Sequence, residues 1–308
     1  MGPRIRIALV GVVSVALLTA CDPFIFGAGD IACKPNASGW NGGNGTASAC
    51  AQKRTSNLIQ GSGATAVLTL GDTQYQSAFM SEFLGSYDPT WGRFKSITHP
   101  VAGNHDYQNT TVKARDYFAY FGASAGDPAK GYYSYDVGSW HVIALNSGTC
   151  GPGPFPPHDG RCDAGSAQER WLRADLAAHP AACVLAYWHH PLFSSGQAGN
   201  TTAVRPLYQA LYDYRADVVL NGHNHMYERF ALQNPQGAAD PSRGIREFVV
   251  GTGGNSFESV KQVKPNSEVR NASTFGVIKL TLAPGSYTWQ FVPEAGKSFT
   301  DSGTTSCH

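Results

Sequence analysis

Short apolar runs of strand length recur along the chain, each closed by glycine or a polar residue and most followed by stretches with apolar positions three and four apart. The runs lie at 24–27, 66–70, 97–101, 184–188 and 218–220, and the helix-like stretches at 47–59, 112–121, 167–178 and 204–214. This alternation predicts an α/β fold. The last third changes period: 246–250, 275–282 and 286–292 alternate apolar with polar residues, and Pro284-Gly285 reads as the tight turn of an antiparallel hairpin. Tyr287, Trp289 and Phe291 are expected on one buried face of it. The region 132–145 alternates in the same way. No internal repeat or Pro/Ser linker divides the chain, so a single domain over 21–308 is expected.

The first twenty residues stand apart. Arg4 and Arg6 precede an apolar run at 7–18 that ends in small residues, the layout of an export signal over 1–20 and too short for a comfortable membrane span. Its close, Leu18-Thr19-Ala20-Cys21, resembles the lipobox of bacterial lipoproteins. That resemblance implies a lipid on Cys21 and a protein held at the outer or periplasmic face of a membrane; an ordinary cleaved signal implies a secreted one. Setting Cys21 aside leaves six of seven cysteines for pairing in an oxidising compartment, with fifteen possible connectivities. Proximity favours Cys33 with Cys50 and Cys150 with Cys162, which leaves Cys183 for Cys307.

Charge narrows the classes of function. The 308 residues carry 23 Lys and Arg against 22 Asp and Glu, with no basic run to follow a phosphate backbone, so nucleic acid is excluded as the main partner. The chemistry lies instead at the ends of the five strand-like runs. Asp30 follows the first, Gly71-Asp72-Thr73-Gln74-Tyr75 the second, Gly103-Asn104-His105-Asp106 the third, His189-His190-Pro191 the fourth and Gly222-His223-Asn224-His225 the fifth. In an open α/β sheet the carboxyl ends of the strands form one ligand-binding edge. Gly71, Gly103 and Gly222 let the chain turn sharply and aim the next side chain at that edge. Singly these motifs are commonplace, but a structural role alone does not place carboxylates, an amide and imidazoles together at strand ends.

In this order and spacing the blocks resemble the calcineurin-like metallophosphoesterases, and specifically their purple acid phosphatase branch, over Asp30 to about Arg229. Tyr75, three residues after Asp72, is the mark of the branch, and the run from Gly222 to Arg229 is similar to its last block. The resemblance implies a four-layer α/β/β/α sandwich with mixed sheets. It also implies a first metal site of Asp30, Asp72, Tyr75 and His225 and a second of Asp72, Asn104, His189 and His223, bridged by Asp72. Hard carboxylate and phenolate oxygens suit Fe(III), and imidazoles with an amide oxygen suit Zn, Fe(II) or Mn. The activity implied is hydrolysis of phosphomonoesters by a metal-activated hydroxide, with His105 binding phosphate or protonating the leaving oxygen. Phosphodiesters or nucleotides are the broader alternative for the small phosphorylated substrate.

Two departures from the family pattern stand out. Ala32 replaces a glycine in the first block, and no histidine lies between Pro191 and Asn200, where relatives often carry a substrate-facing one. His190 is expected to point away from the site if His189 is the ligand. Asp106 is expected to orient His105 through a hydrogen bond, and Tyr227, with Glu228 and Arg229, to support the ligands by packing. His99 and His141 read as structural, His158 as a loop residue, and His179 as a cation at a helix's last turn. A metal-binding surface protein without turnover is the rival from another class, but Asp72, Asn104, His105 and every ligand are present. A zinc lactamase-type hydrolase lacks its His-x-His-x-Asp-His block here. Specificity is expected in the loops 149–166 and 194–202.

Overall fold

The computed structural model describes residues 22–108, 113–151, 159–180 and 183–308. The export signal at 1–20, the lipid site Cys21 and His158 lie outside the described residues. Among the described residues thirteen strands follow in chain order: β1 (Phe24–Ala28), β2 (Ala66–Leu70), β3 (Thr98–Val101), β4 (Tyr133–Val137), β5 (Trp140–Ala144), β6 (Cys183–Tyr187) and β7 (Val218–Asn221), then β8 (Tyr227–Phe230), β9 (Arg246–Val250), β10 (Ser267–Asn271), β11 (Gly276–Ala283), β12 (Ser286–Pro293) and β13 (Ser302–Ser306). They form two mixed sheets, in the orders β13-β12-β11-β1-β2-β3 and β10-β8-β9-β7-β6-β5-β4.

Strand periodicity explains how the sheets stack. In β6, Leu185 and Tyr187 enter the core cluster shared with Leu68, Leu70, Ile278 and Leu280 of the first sheet. Val184 and Ala186 point the other way, into a second cluster with Leu172, Leu176, Leu207 and Leu211 of the helices Ala167–Ala178 and Arg205–Asp213. Both faces of the strand are covered, so it reads in sequence as one continuous apolar run. The hairpin joins β11 to β12 with Leu280 opposite Trp289. Tyr287, Trp289 and Phe291 are buried in the core between the sheets, as their spacing predicts. The 132–145 region is likewise the antiparallel pair β4–β5.

Three expectations change. The segment 246–250 is not part of the C-terminal hairpin: β9 lies inside the second sheet, parallel to β7 and antiparallel to β8, and is buried throughout. The helix expected over 47–59 begins only at Gln52, because Ala49 pairs with Ser256 in an isolated bridge and Cys50 adopts a left-handed φ of 60°. The edge strands β10 and β13 were not foreseen; they carry too few apolar residues to show a period. The three disulfides join Cys33 with Cys50, Cys150 with Cys162, and Cys183 with Cys307, as proximity and elimination suggest.

Candidate metal centre

All five candidate ligand-bearing blocks leave the carboxyl ends of strands, and they come from both sheets of the expected α/β/β/α sandwich. β1, β2 and β3 supply Asp30, Asp72 with Tyr75, and Asn104 with His105; β6 and β7 of the facing sheet supply His189 and the pair His223 and His225. The backbone is bent hard at these points. Asp30, Asp72 and His223 have φ of 59°, 48° and 72°, a left-handed conformation that Asp and His tolerate better than most residues and that clusters at functional sites. Gly71 shares it at φ 81°. Gly103 does not; its backbone is extended, and what it provides is space, since a Cβ there would lie 2.1 Å from Asp72 Oδ1.

The donor atoms fall into two sets that share one carboxylate. Tyr75 Oη lies 2.9 Å from Asp30 Oδ1, 3.0 Å from Asp72 Oδ2 and 3.1 Å from His225 Nε2, and His225 Nε2 is 3.3 Å from Asp30 Oδ1. On the other side His189 Nε2 lies 3.3 Å from Asp72 Oδ2, 3.1 Å from Asn104 Oδ1 and 3.2 Å from His223 Nδ1. Two donors at right angles on one ion stand about 3.0 Å apart when each bond is about 2.1 Å long. The spacings are those that two ions sharing Asp72 would require, and the single phenol proton of Tyr75 can be given to only one of Asp30 and Asp72 at a time.

Electrostatics points the same way. Asp30 and Asp72 are fully buried within one cluster, which needs compensating positive charge. Burial opposes ionisation of Asp72, but the neighbouring His189 and His105 outweigh it and hold the carboxyl far below its usual range. Burial also disfavours a charge on His189, yet Asp72 raises it to about 9. The Tyr75 phenol is pushed well above its ordinary value by burial and by Asp30 and Asp72; a bound cation inverts that logic and favours phenolate.

Three of the candidate ligands are held from behind. His189 Nδ1 faces Leu70 O at 2.9 Å, His225 Nδ1 faces Ser256 Oγ at 2.9 Å, and the His223 amide donates to Asp30 Oδ2 at 2.8 Å. The first two fix which ring nitrogen of His189 and His225 faces the cleft, and the third holds the Asp30 carboxylate. His105 keeps 21% of its side chain exposed, with Nε2 4.0 Å from Asp72 Oδ2. Its Nδ1 donates to the Gln76 carbonyl at 2.8 Å, so Gln76, which the sequence did not single out, is what orients it.

Three supporting roles need correction. Asp106 does not touch the His105 ring; its carboxylate takes the Thr73 hydroxyl at 2.8 Å and the Gly103 amide at 2.8 Å, bracing the turns that carry Asp72 and Asn104. Tyr227 touches no ligand side chain in a hydrogen bond; its hydroxyl donates to Asp301 Oδ2 at 2.7 Å and its ring packs on Phe291. His190 does not turn away: its ring lies 4.3 Å from that of His223, with Nδ1 3.1 Å from Ser147 Oγ. Burial and the charge of His189 hold it neutral, at about 3. Ala32 is buried without left-handed strain, and its carbonyl accepts the Tyr75 amide, so the glycine of the family pattern is dispensable.

A family model described as calcineurin-like phosphoesterase matches residues 51–227, more than half of the chain and every predicted ligand but Asp30. Among curated proteins, purple acid phosphatase 22 of Arabidopsis thaliana is 29% identical over 230 residues, covering 66% of this chain and 50% of its own. Among solved structures, a purple acid phosphatase from yellow lupin (Lupinus luteus) seeds aligns with a TM-score of 0.70 at 20% identity, over 92% of this chain and 53% of that one. The anchor in the inner membrane complex of Plasmodium aligns with a TM-score of 0.64 at 12% identity, over 94% and 90%; at such identities the likeness shows the fold. The chain spans about half the length of the curated relatives it matches. Match, fold and gathered ligands agree: the chain belongs to the calcineurin-like phosphoesterase family, and within it is similar to the purple acid phosphatases.

Proposed function

We propose that the protein is a metal-dependent phosphoesterase that hydrolyses phosphomonoesters with two metal ions, Fe(III) in the set of Asp30, Asp72, Tyr75 and His225, and Zn, Fe(II) or Mn in the set of Asp72, Asn104, His189 and His223. The observation that carries the reading is the pair of four-donor sets meeting at Asp72 Oδ2. A bound ion pair supplies Lewis acidity toward phosphoryl oxygen and a hydroxide nucleophile near neutral pH. The chain's own part is to hold the donors without reorganisation and to present His105. With Nδ1–H given to Gln76, a protonated His105 offers Nε2–H toward the cleft, where it can bind phosphate or protonate a departing alkoxide. Completeness of the set favours an enzyme over a metal-binding surface protein.

An exported setting fits the three disulfides. No helix among the described residues is long and apolar enough to cross a membrane, and attachment through a lipid on Cys21 remains part of the proposal.

The direct test is turnover of a chromogenic phosphate monoester, which a strong chelator should abolish and added metal restore; turnover indifferent to chelation overturns the reading. Tyr75→Phe should separately remove the visible charge-transfer band expected of phenolate on Fe(III), while the ring still packs against His105 at 4.4 Å. Full colour in that variant rules out Tyr75 as the iron ligand.

A further inference from the structure

A second cluster of metal-type donors sits at the opposite end of the second sheet. His141 lies at the start of β5 and pairs across to Val184, near the start of β6, whereas the ligand His189 follows the end of β6. Five residues of extended chain separate those levels by roughly 16 Å. His141 shares its strand face with Ile143, toward the helix Ala167–Ala178, whose last turn presents Asp175 and, four residues on, His179. One donor atom from each of the three lies within 4.8 Å of the others.

We propose that His141, Asp175 and His179 form a further metal site, for a borderline divalent ion such as Zn(II), independent of the phosphoesterase centre. Two imidazoles with a carboxylate are a donor set that suits zinc and leave one position for water. Asp136 Oδ1 accepts from His141 Nδ1 at 2.9 Å, which leaves Nε2 facing Asp175 Oδ2 at 2.9 Å. A carboxylate on the far nitrogen is the arrangement found behind most metal-bound histidines. The Ser134 hydroxyl donates to Asp175 Oδ1 at 2.9 Å and sets the rotation of that carboxylate. His179 Nδ1 faces both the Asp175 carbonyl at 2.9 Å and Asp175 Oδ1 at 3.4 Å, so an ion bound through this nitrogen would displace its bond to the carbonyl.

Access and field suit an ion as well. His141 and Asp175 are buried, while the His179 side chain is 50% exposed. A pocket of about 280 Å³ lined by Asp136, His141 and His179 opens beside them and leaves room for a water ligand. The site lies where the helix carbonyls end, the negative pole of its dipole, which favours a cation. The two rings stack 4.7 Å apart and a donor atom from each lies within 4.8 Å of the carboxylate, so one divalent ion can reach all three.

Equilibrium dialysis of the full chain against Zn(II) tests the site. Wild type should bind one zinc more per chain than His179→Ala, with turnover of a phosphate monoester unchanged between them. His179 is half exposed, so this variant should fold; Asp136→Asn, which keeps the three donors, should weaken the same zinc by about 10- to 100-fold. Equal zinc content in wild type and His179→Ala, or unaltered affinity in Asp136→Asn, overturns the proposal and leaves an ion-paired histidine cluster. Because the reading is a difference between variants, it holds whether or not the main cleft binds two ions.

Discussion

Asp72→Ala should lower turnover of a phosphate ester by at least about 10³-fold and reduce bound metal by two ions per chain relative to wild type. The size of the effect follows from position. Asp72 Oδ2 stands 3.0 Å from Tyr75 Oη in one donor set and 3.3 Å from His189 Nε2 in the other, and Oδ1 accepts the His105 amide at 2.8 Å. Its removal therefore opens a corner of both sets and frees the turn that carries Asn104 and His105. No neighbour can move in, because Asp106 is committed to Thr73 and Gly103. Asp72→Asn is the informative companion: it keeps the shape and an acceptor oxygen but lacks the charge, so it should retain the fold while still losing metal. Turnover and metal content near wild type in Asp72→Ala would refute the shared-ligand arrangement.

The candidate ligands could be picked out in the sequence because their blocks follow short apolar runs, so strand ends and donor-type residues could be read together. What joins them was not legible there. The periodicity that marks β6 and β7 as buried strands is the same for one sheet as for two, and only the packing of Leu185 and Tyr187 against Leu68 and Leu280 divides them. Backbone strain at Asp30, Asp72 and His223 leaves no mark on residue type beyond Asp and His themselves. Gln76 was invisible for a plainer reason: its shortest bond to His105 runs through its main-chain carbonyl, which any residue carries, with the side-chain amide 3.1 Å from the same nitrogen. Asp106 was misread because adjacency in sequence suggested contact, whereas on the helix Asn104–Tyr107 the carboxylate turns back to the N-terminal amide of Gly103. His190 shows the converse. Neighbouring side chains usually diverge, yet the bend at His189 and His190 lets the His190 ring stay against His223.

Replacing His105 discriminates between the two tasks open to it, and the leaving group is the probe. General-acid assistance matters most when the departing oxygen is a poor leaving group, so His105→Ala should slow an alkyl phosphate by about 10²–10⁴-fold in kcat and a nitrophenyl phosphate much less. No metal or colour should be lost, since His105 reaches Asp72 Oδ1 only through its backbone amide, which alanine retains. The expectation is sharpened by the missing histidine between Pro191 and Asn200: the loop offers Ser194 and Ser195 instead, and both hydroxyls are spent on Glu228. His190 is no substitute donor, being buried, neutral and hydrogen-bonded to Ser147. Equal losses on both esters, or a rise in KM with kcat intact, would instead assign His105 to holding the phosphate. Gln76→Ala keeps the carbonyl that takes the Nδ1 proton but removes the side-chain amide 3.1 Å from the same nitrogen, so it reads how firmly the ring must be held for either task.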